Sequence, residues 1–302
     1  MIETYIISLY NPSELIEKLN LKPIKIEGVN GFKISHQEIK KNCTPYYTHF
    51  GTKGSIGCAM SHIKTWEIFL SQSRNNYCMI LEDNVELGNN FDNKLSVILN
   101  NLPEKFDIVF LNKLSNSTFF KTILSGVEEI SINDHFVKPS YFWGTSGYIL
   151  SKNGAILLLK YIKTKISTHI DVHMRELYFK NLLDVYSVKE GILKRNDNYS
   201  KSSNSLSDFP IILNSLLYYV PWEDRKLSYV MNFSIIRIHE YEVNLINIIF
   251  LLIGILCAKF KIDIVTITVI FLIISSTDIF YGKNKINILS NYLLIILPSI
   301  ML

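Results

Sequence analysis

The chain is poor in cysteine and has no pattern that would join its cysteines into a metal or disulfide framework. The four cysteines are Cys43, Cys58, Cys78 and Cys257, and no two of them have CxxC spacing. A zinc knuckle or a disulfide-stapled small domain is therefore excluded as the organising feature. The scattered thiols favour a reducing environment.

Charge is also scarce. Charged residues make up 19% of the 302 residues, below the usual quarter, and 31 Lys and Arg against 27 Asp and Glu leave a net charge of +4. No polybasic run gathers this charge, so nucleic acid is not expected as a partner. The first residues (MIETYIISLYN) do not contain a basic segment followed by an apolar one. Because a secretory signal peptide has that pattern, we expect no cleaved signal peptide.

The scarcity of charge is greatest in the last 60 residues, which hold only six charged side chains. Three apolar stretches follow one another there, at residues 243–258, 264–277 and 286–302. Each is slightly shorter than the ~20 residues that span a bilayer, and the alternative is a pair of buried core helices. The pattern predicts a hydrophobic helical tail over residues 243–302, with two or three transmembrane helices that anchor the chain in a membrane. Lysines in both linkers leave the side of the membrane open.

The first 242 residues alternate strand-like and helix-like patterns, which predicts an α/β domain over residues 1–242. Strands are expected at residues 4–9, 77–81, 106–111 and 141–150, and helices at 55–72, 154–161 and 172–183. The run YCMIL at residues 77–81 is continuous and apolar. Such runs are typical of buried parallel strands, which deliver polar residues to the carboxyl edge of a sheet.

Three polar residues, Glu82, Asp83 and Asn84, follow that strand directly. Carboxylate and amide oxygens at a strand end can hold a hard divalent cation, which neutralises a departing diphosphate. Taken alone, acidic residues after a strand are more often turn or capping residues. The metal interpretation therefore depends on the surrounding motifs.

The motifs on both sides of this strand resemble those of glycosyltransferase family 25, which lipooligosaccharide galactosyltransferases typify. The matching segments are YIISL at 5–9, IEG at 26–28, GSIGCAMSH at 54–62, Trp66, ILEDNV at 80–85, GTSGYILS at 144–151 and Ile170-Asp171. The resemblance covers about residues 2–205. It implies a nucleotide-binding, Rossmann-like domain of the metal-dependent type. It also implies transfer of a sugar, for instance galactose, from a nucleotide-sugar donor to a glycan or lipid-linked glycan acceptor.

The resemblance assigns roles to individual side chains. It implies that Glu82, Asp83 and Asn84 hold a divalent ion, Mn²⁺ or Mg²⁺, and that Asp171 is the catalytic general base for the acceptor hydroxyl. Donor binding is implied for Ser61, His62, Gly144, Thr145 and Gly147. The family usually ends its strand in Glu-Asp-Asp, and Asn84 replaces the last carboxylate by a neutral amide. The expected metal affinity is therefore lower.

Local chemistry leaves other roles open for these residues. A lone helical histidine such as His62 is more often structural than a ligand, and Ser61 can bond within its own helix. Asp171 can cap the helix that follows it. The glycines of GTSG at residues 144–147 can form a plain tight turn.

Two other functions also stay open. Asn84 favours a catalytically degenerate relative that binds a glycan or acts as a membrane-anchored scaffold. The run HIDVH places His169, Asp171 and His173 together, and these three residue types could form the metal site of a hydrolase.

Overall fold

The computed structural model describes the chain except for residues 1, 11, 113–128, 141, 143, 164–165, 196–220, 223–224, 227–233, 239–240, 281–284 and 302. The chain divides into two compact units, Met1–Ser203 and Asn204–Leu302. The boundary that composition predicts after Glu242 lies inside the second unit, and it stays a prediction.

The first unit alternates strands and helices, as predicted for its α/β class. Its strands are β1 (Glu3–Ser8), β2 (Ile24–Glu27), β3 (Tyr77–Glu82), β4 (Val85–Leu87), β5 (Ile108–Phe110), β6 (Ile130–Ser131), β7 (Phe136–Lys138), β8 (Gly147–Ser151), β9 (Val185–Val188) and β10 (Leu193–Arg195). Its helices are α1 (Ser13–Lys18), α2 (His36–Asn42), α3 (Pro45–Phe50), α4 (Lys53–Gln72), α5 (Phe91–Asn100), α6 (Lys152–Ile162) and α7 (Ile170–Phe179). Residues 141 and 143 of the strand predicted at 141–150 lie outside the described residues.

Eight of these strands form one mixed sheet in the order β2-β1-β3-β8-β5-β9-β7-β6. β1 pairs in parallel with β2 and β3, whereas β8 runs antiparallel to β3 and β5. Because β8 is antiparallel, its first residue Gly147 pairs with Leu81 near the carboxyl end of β3. This register brings the loop before β8 next to the polar residues that follow β3.

Helices cover both faces of the sheet. Successive strand residues point to opposite faces. Tyr5 and Ile80 belong to the apolar cluster that α4, α6 and α7 complete, and Ile6 and Leu81 belong to the cluster that α1 and α5 complete. Burial on both faces explains why β3 reads as a continuous apolar run. The first unit is therefore a three-layer α/β/α sandwich.

Helix α4 begins close to the loop that follows β2. The side chain of Thr52 caps it by accepting the N–H of Ser55. A Cβ atom on Gly57 would lie 2.6 Å from the carbonyl oxygen of Val29, and one on Gly31 would lie 1.7 Å from the carbonyl oxygen of the first α4 residue. Glycine at both positions lets the two backbones approach, which sets the position of α4 over the sheet.

The second unit combines short hairpins with three helices in its described part. The elements are β11 (Pro221–Trp222), β12 (Arg225–Lys226), β13 (Ser234–Ile238), β14 (Tyr241–Asn244), α8 (Leu245–Lys259), α9 (Ile264–Phe280) and α10 (Lys285–Met301). Ile246, Phe250 and Phe271 lie in the apolar cluster between the helices. The buried Asn247 Nδ2 donates to Asn291 Oδ1 at 2.7 Å, so the packing also includes a polar contact.

The predicted membrane tail over residues 243–302 is wrong. Helix α8 has 15 residues, and α9 and α10 have 17 each, fewer than the ~20 residues that cross a bilayer. Throughout the described part of the chain, no helix has both the length and the apolar character of a membrane span. The three stretches are apolar, as hydropathy indicates, but the described helices are too short to cross a bilayer.

We expect Gly57→Ala to lower the free energy of unfolding by about 1–3 kcal/mol, because the added methyl group overlaps the backbone of the loop after β2. Alanine alone would favour a helix by ~1 kcal/mol over glycine, so the expected sign is opposite to helix propensity. Urea denaturation followed by circular dichroism measures the change. Ser71→Ala, at an exposed position of the same helix, is the control and should change stability by less than about 0.5 kcal/mol. Equal stability of Gly57→Ala and the wild type would contradict the close backbone approach.

Candidate functional site

The predicted metal residues lie at the carboxyl edge of β1 and β3, but on different faces of the sheet. The N–H of Asp83 donates to the carbonyl of Ile7 at 3.1 Å, so strand geometry continues to this residue. Consecutive residues therefore alternate. The Glu82 side chain lies on the α4 side, beside His62, and the Asp83 side chain lies beside Ser8.

The Glu82 carboxylate ends a hydrogen-bonded chain that reaches into the core. Its Oε1 accepts the Thr145 hydroxyl at 2.6 Å and lies 3.3 Å from His62 Nε2. His62 Nδ1 lies 2.9 Å from the hydroxyl of Tyr148, which accepts the indole N–H of Trp66 at 2.9 Å. His62 is 1% exposed and Glu82 is 22% exposed, so the chain opens to solvent at the carboxylate end.

Tyr148 can support His62 in either tautomer. Burial raises the pKa of Tyr148 well above its ordinary value, so the hydroxyl keeps its proton. The indole N–H of Trp66 can only donate. After accepting from Trp66, the Tyr148 hydroxyl still has its own proton and one lone pair. It can donate the proton to an unprotonated His62 Nδ1, or accept from a protonated Nδ1 with the lone pair.

Asp83 provides oxygen atoms away from this chain, and the amide oxygen of Asn84 follows it in sequence. Asp83 Oδ2 accepts the Ser8 hydroxyl at 2.5 Å. Burial raises the pKa of Asp83, the bond from Ser8 opposes this shift, and the negative charge of Glu82 adds to it. Asn84 is buried, and its Oδ1 has no hydrogen-bond partner among the described residues. A buried orphan oxygen next in sequence to a carboxylate fits a hard divalent ion such as Mg²⁺ or Mn²⁺.

The loop before β8 is held by the start of α7. The N–H of Gly144 donates to Asp171 Oδ2 at 2.8 Å, and Asp171 Oδ1 accepts the N–H of Val172 at 2.9 Å. Gly144 has a φ of +80°, which favours glycine, and a Cβ atom there would meet nothing within 4 Å. Asp171 thus positions the loop, and open space lies beside Gly144.

Ser61 and Gly147, both predicted to bind the donor, make packing contacts within the fold. The Ser61 hydroxyl accepts the N–H of Val29 and donates to the carbonyl of Gly57, both at 2.7 Å, so it ties α4 to the loop after β2. A Cβ atom on Gly147 would lie 2.2 Å from Leu193 Cδ1, so this glycine serves close packing. These contacts do not involve the Glu82 carboxylate, and the donor-binding role of both residues stays a prediction.

The alternative metal site at His169, Asp171 and His173 does not assemble. His173 is buried, and its Nε2 accepts the N–H of Ser167 at 2.9 Å, so this nitrogen is already used. Within the described residues, one group of three has the ligand-atom spacing of a metal site: Cys58, His62 and Glu82. The hydrolase interpretation loses its metal site.

Motif reasoning did not assign two residues that lie near Glu82. Cys58 is four residues before His62 on α4, and a spacing of four places two side chains on one helix face. Tyr148 is the one aromatic residue of β8, and a buried hydroxyl needs a partner. Both signals are present in the sequence.

A family model and several known proteins match part of this chain. A family model described as "Glycosyltransferase family 25 (LPS biosynthesis protein)" matches residues 1–174. The chain is 32% identical over 143 residues to "Lipooligosaccharide biosynthesis protein lex-1" of Haemophilus influenzae, a match that covers 44% of this chain and 45% of that protein.

Animal proteins match at lower identity. "Probable inactive glycosyltransferase 25 family member 3" of Bos taurus is 22% identical, over 64% of this chain and 33% of that protein. "Procollagen galactosyltransferase 2" of Homo sapiens is 22% identical, over 62% of this chain and 30% of that protein. The chain therefore spans less than half the length of these three relatives.

His173→Gln tests the role of the buried histidine. The glutamine oxygen can accept the Ser167 N–H in place of Nε2, but it does not titrate. Burial lowers the pKa of His173, so the unfolded chain binds the proton more tightly, and the free energy of unfolding falls as the pH drops below about 6.5. We expect the variant to lose this part of the acid sensitivity, measured by urea unfolding at about pH 7.5 and about pH 5. Equal acid sensitivity of the two proteins would count against the assignment.

Proposed function

Because this chain belongs to glycosyltransferase family 25, we propose that it transfers a sugar from a nucleotide-sugar donor to a glycan or lipid-linked glycan acceptor, in the biosynthesis of a lipopolysaccharide-type glycan. The observation that carries the proposal is the meeting of three segments at one sheet edge. The end of β3, the loop before β8 and the start of α7 are joined there by the bonds from Thr145 to Glu82 and from Gly144 to Asp171. Ligands of open α/β sheets bind at such carboxyl edges.

Asp83 and Asn84 are proposed to hold the divalent ion, Mn²⁺ or Mg²⁺, which when bound supplies positive charge to the departing nucleoside diphosphate. The orphan Oδ1 of Asn84 supports this assignment, since a ligand would satisfy it. Glu82, predicted as a third ligand, lies on the other face and adds negative charge close to Asp83. With one carboxylate and one neutral amide, Asp83 and Asn84 have a weaker attraction for the ion than the Glu-Asp-Asp pattern would give.

The loop before β8 is proposed to bind the donor sugar. Its Gly144 N–H is used by Asp171, so this amide fixes the loop and leaves the open side of Gly144 for the ligand. Thr145 is buried and its hydroxyl donates to Glu82, so the loop is fixed at two successive residues. A loop held in this way presents a preformed surface to the sugar.

Asp171 is proposed to take the proton of the attacking acceptor hydroxyl. Each of its carboxylate oxygens already accepts one backbone N–H, and each keeps a second lone pair. The two N–H bonds hold the carboxylate in one orientation. That orientation favours a base that must meet a hydroxyl at a defined place.

Sugar transfer is tested with a panel of nucleotide sugars and glycan acceptors, in the presence of Mn²⁺, Mg²⁺ or a chelator. We expect turnover that the chelator removes and that Asp83→Ala lowers by at least about 100-fold, since a lost ligand removes several kcal/mol of leaving-group stabilisation. The unfolding midpoint of the variant should stay close to that of the wild type. Full turnover by Asp83→Ala would show that the ion is held elsewhere.

Asp171→Asn separates the two roles of this residue. The amide oxygen can still accept the Gly144 N–H, but it cannot take a proton from the acceptor at neutral pH. We expect transfer to fall by about 10²–10⁴-fold, as for the loss of a general base, and stability to fall by only about 1 kcal/mol, because the amide nitrogen cannot accept the Val172 N–H. If Asp171 only positions the loop, Asp171→Asn should keep its activity, and Asp171→Ala should lose it.

A catalytically degenerate, glycan-binding relative is the second candidate function. The neutral Asn84 at the predicted metal site favours it, and one animal relative is itself named inactive. The same panel separates the two functions when Asn84→Asp is included. The added carboxylate should lower the metal concentration that a working enzyme needs. A protein that has lost other parts should show no turnover with either residue at this position.

A further inference from the structure

The structure brings three metal-binding side chains together on the α4 side of the sheet. The Sγ of Cys58, a ring nitrogen of His62 and a carboxylate oxygen of Glu82 all lie within 4.8 Å of one another. Cys58 and Glu82 are partly exposed and His62 is buried, so the cluster has one side open to solvent. The function proposed above uses Glu82 for its charge and gives no role to Cys58.

Local structure positions each member of this cluster. Cys58 and His62 are four residues apart on α4, so their side chains leave the same helix face one turn apart. Glu82 ends β3, which lies under that helix in the sheet. A pair of ligands at i and i+4 on a helix, completed by a carboxylate from another element, is a common way to build a zinc site.

The distances suit a tetrahedral ion. Nitrogen and oxygen ligands each lie about 2.0–2.1 Å from Zn²⁺, so at a tetrahedral angle they are separated by about 3.3 Å. His62 Nε2 and Glu82 Oε1 are 3.3 Å apart. A rotation of the Cys58 side chain would bring its sulfur to a third position, because the sulfur lies within 4.8 Å of both partners.

The residues around the cluster orient two of its members. Tyr148 Oη lies 2.9 Å from His62 Nδ1 and can accept a hydrogen bond from a proton on that nitrogen, which leaves Nε2 with its lone pair for an ion. The Thr145 hydroxyl donates to the Glu82 carboxylate at 2.6 Å. Ligating histidines and carboxylates in metal sites are regularly held by such outer hydrogen bonds.

We propose that Cys58, His62 and Glu82 bind a transition-metal ion of the Zn²⁺ class. A thiolate and an imidazole select borderline-soft ions over Mg²⁺, which prefers oxygen ligands. This site is separate from the Asp83 carboxylate, whose side chain lies beside Ser8 on the other side of β3. Three protein ligands leave the fourth position of a tetrahedral ion for water or another small ligand.

The test is a titration of the metal-stripped full-length chain with Co²⁺, followed by absorption spectroscopy. Co²⁺ takes the place of Zn²⁺, and a bond to a cysteine sulfur gives a charge-transfer band in the near ultraviolet. We expect one equivalent of Co²⁺ to produce this band, one equivalent of Zn²⁺ to remove it, and excess Mg²⁺ to leave it unchanged. This readout does not depend on sugar transfer, so the site can be tested even if no donor is turned over.

Matched variants identify the ligands. Cys58→Ser should abolish the sulfur band, and Glu82→Gln should weaken Co²⁺ binding by at least about tenfold without loss of the folded state. Cys257→Ser changes another partly buried cysteine, in the second unit, and should behave as the wild type. No band in the wild type, or an undiminished band in Cys58→Ser, would overturn the proposal. Loss of turnover in Asp83→Ala with an intact band would affect only the oxygen site.

Discussion

The antiparallel pairing of β8 with β3 is the constraint on which the rest of the site depends. It places Gly147 opposite Leu81, and the N–H of Glu82 continues the ladder by donating to the carbonyl of Ser146 at 2.9 Å. The loop at residues 144–146 cannot then lie anywhere but at the carboxyl end of β3. The hydroxyl of Thr145 reaches Glu82 and the amide of Gly144 reaches Asp171 as consequences of that register. A slip of one residue would turn every β8 side chain to the opposite face and remove Tyr148 from His62.

The polar side chains that this register buries form one continuous chain of hydrogen bonds. Trp66 donates to Tyr148, Tyr148 contacts His62, and His62 contacts Glu82, which meets solvent. A buried imidazole without partners would cost several kcal/mol, and an incomplete network would be worse than an apolar core. Because each member has a partner, the network can cross the core at low cost. It also leaves the carboxylate, its most strongly polar member, at the edge where ligands approach.

Much of the first unit follows from local sequence rules, and the exceptions have physical causes. A continuous apolar run predicted β3, and helical spacing predicted residues 55–72, which lie in α4. The prediction of a membrane tail was wrong because apolar content alone does not set the length of a helix, and the described helices have 15 to 17 residues. Strand alternation already implies that the Glu82 and Asp83 side chains point to opposite faces, whereas the family resemblance implied that both bind one ion. Ser61 and Gly147 also make packing contacts that only the tertiary structure reveals.

The two faces of the β3 end give the neighbouring acidic residues different chemistry. Glu82 lies among hydrogen-bonding side chains of α4 and β8, where an imidazole and a thiol are also within reach. Asp83 has a hydroxyl partner on β1 and is followed by an amide oxygen without a partner. An asparagine at position 84 carries one negative charge fewer than an aspartate would, and the bonds that link Tyr148, His62 and Glu82 do not involve it. Since the charges of Glu82 and Asp83 still repel each other across the strand end, an ion bound on either face would ease the burial of the carboxylate on the other. The separation of ligand types and the shared electrostatics are thus set by the same strand end: the α4 face offers a thiol, an imidazole and a carboxylate, and the Asp83 carboxylate lies beside a hydroxyl on the opposite face.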